Sequence, residues 1–266
     1  VLNIPENLLW YTVYKDDDEA MGIWIDDIGI SEDRIQKGDE DNFWHMNIPG
    51  PCGPCTEIFY DKGKTFGKTG GPIGGSENRY VEIWNLVFME LIQNDPYEVV
   101  GTLPKKNVDT GMGLERLAMV MQNKSSIFET DLFNPIVNAI CKLHKIAYGD
   151  NEHTDKEIRI IADHTRATAF LLADGVVPTN EGRGYILRRL IRRSLRSSSQ
   201  LNNKHNDLTS ILSNISDIYS FQYHELKDNS SSIFDLYSSE QDLFYKTLAK
   251  GEVLVQNLIT KNKTIT

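Results

Sequence analysis

The sequence predicts an α+β chain: an antiparallel β-sheet with flanking helices over residues 1–130, then an all-α region over residues 131–266. Two observations carry this. Up to about residue 112 the apolar and β-branched residues fall in extended runs joined by short links and one long loop, as in strands that return on their neighbours. From about residue 131 the apolar residues recur at three and four positions, the helical period.

In order, Glu6 to Trp10 reads as a helical end and Trp10 to Tyr14 as a strand. Asp16, Asp17, Asp18 and Glu19 open a short helix through Met21 and Trp24, since acids favour a helix N-terminus. Gly50 to Cys55 reads as a turn-rich segment before an alternating strand, Thr56 to Asp61. Six glycines between Gly63 and Gly75, with few apolar residues, predict a flexible surface loop and not a phosphate cradle, because no helix with P-loop spacing follows. Tyr80 to Met89 is β-branched and aromatic, fit for a central strand buried on both faces. Asn85 within it then needs a backbone or ligand partner. A bend at Asn94-Asp95-Pro96 leads to a strand through Val99, Val100 and Leu103, which delivers Val108 and Asp109 to a glycine turn. Leu114, Leu117, Ala118 and Met121 form the helix that follows.

The helical region opens with a helix capped by Asp131 or Asn134, with Pro135 in its first turn and Ile136, Val137, Ile140, Leu143 and Ala147 as its stripe. A second helix runs from about Asp155 to Asp174, turning Ile158, Ile161, Ala162, Ala169 and Leu172 inward and stopping at Gly175. His164 lies within it as a packing histidine. A third spans residues 183–196; the Ser/Asn-rich residues 197–238 read as an insertion or loosely packed loop. Helical patterning returns at Ser239–Ile259 through Leu243, Phe244, Leu248, Val255 and Leu258, before the chain stops in Thr260 to Thr264.

The chain has 266 residues, 40% hydrophobic and 25% charged, with a formal net charge of −10, so any nucleic-acid contact needs a local basic surface. Three cysteines are too few for a disulfide scaffold and suggest a reducing compartment, the cytoplasm or, as the alternative, the mitochondrion. No apolar run reaches the ~18 residues of a membrane span. Val1 stands in what reads as mid-domain sequence, so the chain is expected to be part of a longer protein.

Two stretches suggest chemistry. In Val108-Asp109-Thr110-Gly111-Met112-Gly113-Leu114-Glu115-Arg116, the glycines leave a bare backbone shelf. Asp109 at its rim could hold an ammonium, and Arg116 offers a donor fork for phosphate. A buried Asp–Arg pair tying strand to helix is the alternative. In the third helix, Leu187, Leu190, Ile191 and Ser194 fall on one side, and Arg188, Arg189, Arg192, Arg193 and Arg196 on the other. With no acid among them, five like charges call for a polyanion, either RNA phosphate or, failing that, open solvent. Cys52 and Cys55 have zinc-ligand spacing, but two thiolates cannot close a tetrahedral site, so no bound metal is expected there.

Four stretches, DNFWHMNIPGPCGPCTEIFYD, VEIWNLVFMEL, DTGMGLERLAMVMQ and VPTNEGRGYILRRLIRRSLR, together resemble class II aminoacyl-tRNA synthetases in the form carried by alanyl-tRNA synthetases. The third resembles the motif 3 of that class, and the resemblance spans roughly residues 8–200. It implies the later part of an aminoacylation catalytic domain over residues 1–130 and an incomplete tRNA-recognition region over 131–266. It further implies alanine binding by Trp44, Asn85, Val87 and Asp109, ATP binding by Gly111, Gly113 and Arg116, and Mg2+ carried with ATP. Asn180 would lie near the acceptor-stem G·U pair of tRNA(Ala), with Arg188, Arg189, Arg192, Arg193 and Arg196 on the backbone. Some relatives add two histidines after the second cysteine; here Lys62 and Thr65 stand at the comparable positions. Motifs 1 and 2 are expected before residue 1, and an editing domain with its zinc after residue 266. This stretch alone is therefore not expected to exchange pyrophosphate into ATP. A noncatalytic RNA-binding paralogue would share the fold, but it would not need Asp109, Gly111 and Arg116.

Overall fold

The computed structural model describes residues 2–202 and 205–261, which fall into two compact units, residues 1–130 and 131–266.

The first unit is built on a six-stranded sheet. β1 (Leu9–Tyr14) leads through α1 (Asp18–Gly22) to β2 (Ile35–Gly38), the short β3 (Phe43–His45) and β4 (Gly50–Asp61). A helical turn, α2 (Gly71–Gly74), precedes β5 (Tyr80–Gln93), β6 (Val99–Met112) and α3 (Leu114–Met121). The strand order is β2-β1-β4-β5-β6, with β3 paired to β4. All pairings are antiparallel except β1 with β2, which α1 separates.

The acidic run starts α1 as expected: Asp17 Oδ1 accepts from the Ala20 amide at 2.9 Å. Ala20, Met21, Trp24 and Ile25 then pack on Tyr11, Val13, Ile58 and Phe88, giving one face of the sheet its core. Three local expectations need correction. Gly50 to Cys55 is strand, not turn; its irregularity is a register shift between Cys52 and Cys55, where Pro54 has no N–H to give. The glycine-rich stretch is structured, with a 3-10 turn at Lys64–Phe66 and α2, whose approach is held by a hydrogen bond from Gln36 Nε2 to Gly70 O at 2.8 Å. β5 is mostly half-buried, so it has one open face.

The second unit is helical among its described residues: α4 (Asn134–His144), α5 (Glu152–Ala173), α6 (Gly182–Asn202), α7 (Thr209–Tyr219), α8 (Glu225–Asp228) and α9 (Ser230–Lys261). α4 has no side-chain cap and ends at Lys145, at φ 58°, so Ala147 lies beyond it and is exposed. Asn151, not Asp155, starts α5, its side chain accepting from the His153 and Thr154 amides. All five residues expected to face inward on α5 are buried, and Gly175 stops it at φ 80°. His164 contacts the neighbouring Asp163 at 3.2 Å.

The Ser/Asn-rich segment is not a loose loop. Leu208 at the N-cap of α7 and Ile211, Leu212 and Ile215 along it are buried, joined by Leu226, Ile233 and Tyr237. Their helical period was masked by the serines and asparagines on the outer positions. α9 accordingly begins nine residues before Ser239 and turns Ile233, Tyr237, Glu240 and Gln241 inward, while Leu243, Val255 and Leu258 are exposed. Residues 203, 204 and 262–264 lie outside the described residues. Burial of each such Leu or Ile stabilises by about 1.5–3 kcal/mol, so truncating Ile191 of α6, wholly buried, would cost about 2–5 kcal/mol. Among the described residues no helix is long and apolar enough to cross a membrane.

Candidate functional site

Residues paired across antiparallel strands project from the same face. β5 pairs Asn85 with Glu57 of β4 and Gly111 of β6, and β1 sets Thr12 against Glu57, so Thr12, Glu57, Asn85 and Gly111 form one rung across four strands. The next rung holds Cys55, Val87 and Asp109. Four of the expected site residues, Asn85, Val87, Asp109 and Gly111, thus share one face in adjacent rungs. This is the face opposite the α1 core. Asp109 is exposed there and Val87 is buried between its neighbours.

Gly111 is strand and not turn: β6 continues through Met112, and the change to helix comes at Gly113, whose amide donates to Ile83 O at 3.1 Å. A Cβ at Gly111 would meet nothing within 4 Å, so the shelf is open there. At Gly113 its three nearest neighbours would be side-chain atoms of Arg116, at 3.3–3.5 Å. Arg116, one turn into α3, donates from Nη1 to the Glu82 carboxylate at 2.7 Å and to the Glu82 carbonyl at 3.0 Å. Arg116 is therefore paired with Glu82, not with Asp109. Trp44 lies half-buried on β3 opposite Gly53, where β4 runs so close to β5 that an added Cβ would fall 2.0 Å from Phe88 O.

Glu57, which sequence reasoning did not single out, is the hub of this face. Its Oε2 accepts from Thr12 Oγ1 at 3.0 Å and Asn42 Nδ2 at 3.2 Å, and its Oε1 from Asn85 Nδ2 at 3.2 Å. Burial, with the nearby charges of Glu82 and Asp41, pushes its carboxyl up to about 7 against the lowering by Thr12 and Asn42. Glu57 and Glu82 also wall a cavity of about 750 Å³ with Asp39, Glu40, Asp41 and Glu77. Six carboxylates repel a triphosphate unless a cation accompanies it. The only sequence signal for Glu57 was a polar residue in an alternating strand, which does not say which face matters.

Cys52 and Cys55 are both buried, and burial first, then Glu57, pushes the Cys55 thiol up to about 12. Among the described residues no group of three metal-ligating side chains converges.

In the helical unit the arginine stripe divides. Arg188 and Arg192 donate to Glu240 of α9 at 3.1 and 2.7 Å, and Glu240 is 4% exposed. Arg188 also donates to Asn180 Oδ1 and to Pro178 O. The five-charge stripe thus needs correction: α9 supplies the acid that the helix itself lacks. Arg189, Arg193 and Arg196 remain exposed on one face, with Arg189 over the Tyr185 ring. Gly184 lets the first turn of α6 press onto the preceding segment, since a Cβ would lie 2.3 Å from Val177 O.

The family described as tRNA synthetases class II (A) matches residues 1–266. The chain is 48% identical over 262 residues to an alanine–tRNA ligase of Corynebacterium diphtheriae, covering 96% of this chain and 29% of that protein. It is 46% identical over 265 residues to that of Corynebacterium glutamicum (97% and 30%) and 44% identical over 269 residues to that of Thermobifida fusca (97% and 30%). The chain spans about 30% of the length of the curated relatives it matches.

Proposed function

The chain belongs to the class II (A) tRNA synthetases, and from that premise we propose that it carries part of the alanine-activating centre and the tRNA-contacting helices of an alanine–tRNA ligase. The observation that carries this is the pair of rungs bringing Asn85, Val87, Asp109 and Gly111 to one open face. Asp109 holds the α-ammonium, Val87 and Trp44 limit room beside the methyl group, and the bare backbone at Gly111 underlies the nucleotide. Arg116, freed from Glu82 as phosphate arrives, takes the ATP phosphates, with Gly113 opening its helix. The alanine carboxylate attacks the α-phosphorus, the bond to the β-phosphate oxygen breaks, and pyrophosphate leaves. A hydroxyl at the 3′ end of tRNA(Ala) then attacks the alanyl carbonyl, the bond to the adenylate phosphate oxygen breaks, and AMP leaves. No side chain forms a covalent intermediate; alignment and charge neutralisation do the chemistry.

Hard oxygen donors on an acidic cavity wall fit Mg2+, which takes one or two carboxylates and shares the rest of its shell with phosphates and water. Glu82, beside Arg116, would hold it, and when bound it supplies neutralisation of the triphosphate. On the helical unit, Arg189, Arg193 and Arg196 contact tRNA(Ala) phosphates, while Arg188 positions Asn180 for a base edge. Free Cys52, Cys55 and Cys141 suit a reducing compartment, and we assign the protein to the cytoplasm.

The test is alanine-dependent ATP–pyrophosphate exchange by the full-length protein and its Asp109→Ala variant. Loss of one charge-assisted hydrogen bond, about 1.5–3 kcal/mol, should lower kcat/KM for alanine about 10–100-fold. Because Asp109 is exposed, stability should change by less than about 0.5 kcal/mol. A variant as active as its parent would remove the pocket assignment.

A further inference from the structure

The side chain of Asn85 is only half satisfied. Its Nδ2 donates to Glu57, but its Oδ1 is buried with no hydrogen-bond partner among the described residues. An orphaned buried acceptor on this face calls for a donor that arrives with a ligand. We propose that Glu57 is a positioning residue for the amino-acid substrate: by accepting from Asn85 Nδ2 it turns Oδ1 toward the α-ammonium, which Asn85 and Asp109 then share. This rests on the alanine-activating reading given above.

An asparagine amide fits its site almost equally well in two orientations, and the neighbour's chemistry selects between them. Above pH 7, where its raised carboxyl is mostly ionised, Glu57 only accepts. It cannot swing away, because Thr12 Oγ1 and Asn42 Nδ2 both hold its Oε2, and Asn42 Nδ2 also donates to Thr12 Oγ1 at 2.7 Å. Thr12 and Asn42 are 1% and 2% exposed, so the clamp is fixed in the sheet. Facing that carboxylate, Asn85 must present its NH2 group, which leaves the oxygen on the other side. Asn85 and Asp109 are diagonal neighbours across the β5–β6 ladder, roughly 7–8 Å apart at the backbone. An ammonium has three N–H donors and can bridge two acceptors at that spacing. Three of the roughly four acceptor positions of Glu57 are already taken, which makes it a better orienter than metal ligand.

The experiment is steady-state ATP–pyrophosphate exchange at about pH 8, where Glu57 is ionised, by the full-length protein, with Glu57→Gln, Asn85→Ala and the double variant, at saturating ATP and Mg2+. Glutamine can meet either face of the Asn85 amide, so Glu57→Gln should raise KM for alanine about tenfold, with kcat, KM for ATP and Mg2+ dependence little changed. In the Asn85→Ala background the same change should add nothing, because its only route is through that amide. If Glu57→Gln misfolds, Thr12→Val and Thr12→Ser replace it: valine, which frees the carboxylate, should raise KM for alanine several-fold, and serine should not. An unchanged alanine KM in an active Glu57→Gln enzyme, an effect on Mg2+ or ATP instead, or additive effects in the double variant would each overturn the proposal alone. A full-length parent silent with alanine would overturn it together with the reading on which it rests.

Discussion

Removing Glu240 should unfold the helical unit more easily than removing any exposed arginine beside it. The carboxylate is 4% exposed between Arg192 Nε at 2.7 Å and Arg188 Nε at 3.1 Å, and those side chains are 35% and 17% exposed. Breaking a buried ion pair from one side costs about 3–5 kcal/mol, because the remaining charge is left without a partner. Water reaches part of Arg192, so Glu240→Ala should fall at the low end, about 3 kcal/mol. Replacing all three residues together with leucine should recover most of the loss, since an apolar substitute removes the stranded charges as well. The assay is urea unfolding followed by far-UV ellipticity. Within these 266 residues all four tryptophans (Trp10, Trp24, Trp44 and Trp84) lie in residues 1–130, so in this stretch of chain their fluorescence reports the other unit as an internal control. A Glu240→Ala shift under about 1 kcal/mol, or a triple variant as unstable as the single one, would refute the reasoning.

Two further outcomes follow from the same geometry. Arg189→Gln, Arg193→Gln and Arg196→Gln together should weaken binding of an acceptor-stem RNA and flatten the log–log salt slope by about 2–3, with stability nearly unchanged; an unaltered slope would make them ordinary solvated charges. Charge reversal at Arg188 or Arg192, by contrast, should lower stability first, so a loss of RNA binding there would not identify a phosphate contact. Glu57 adds a pH signature. Its carboxyl stands at about 7 against an ordinary 4.5, so the folded state holds the proton more tightly, and stability falls as pH rises between those values. The full linkage would be about 3 kcal/mol, reduced to about 1–2 by partial solvent access. Urea unfolding by tryptophan fluorescence should show Glu57→Gln gaining that much on wild type between pH 4.5 and 8, and parallel curves would contradict it.

Much of the fold was legible. Strand alternation and helical spacing are consequences of backbone geometry, so β1, β5, α5 and the buried face of α6 could be read directly. Residues Asn85, Val87, Asp109 and Gly111 could be nominated from their resemblance to a known motif, but not their rungs. Pairing register depends on which strands meet and where bulges fall, and the shift between Cys52 and Cys55 has no local signature beyond prolines that also suit a turn. The serine- and asparagine-rich outer positions of α7 hid a buried stripe, because composition averages over faces that the fold keeps separate.

By itself the sequence determined the kinds of element, the order in which they follow, and the family signature at the turn into α3. The tertiary structure alone decided which charges are free. Arg188 and Arg192 find their acid 52 and 48 residues away, and Glu57 gathers its donors from three other segments of the chain. Periodicity belongs to one segment and can be read along it. Satisfaction of a buried charge belongs to whatever distant side chain fills the facing position, and only packing brings the two together.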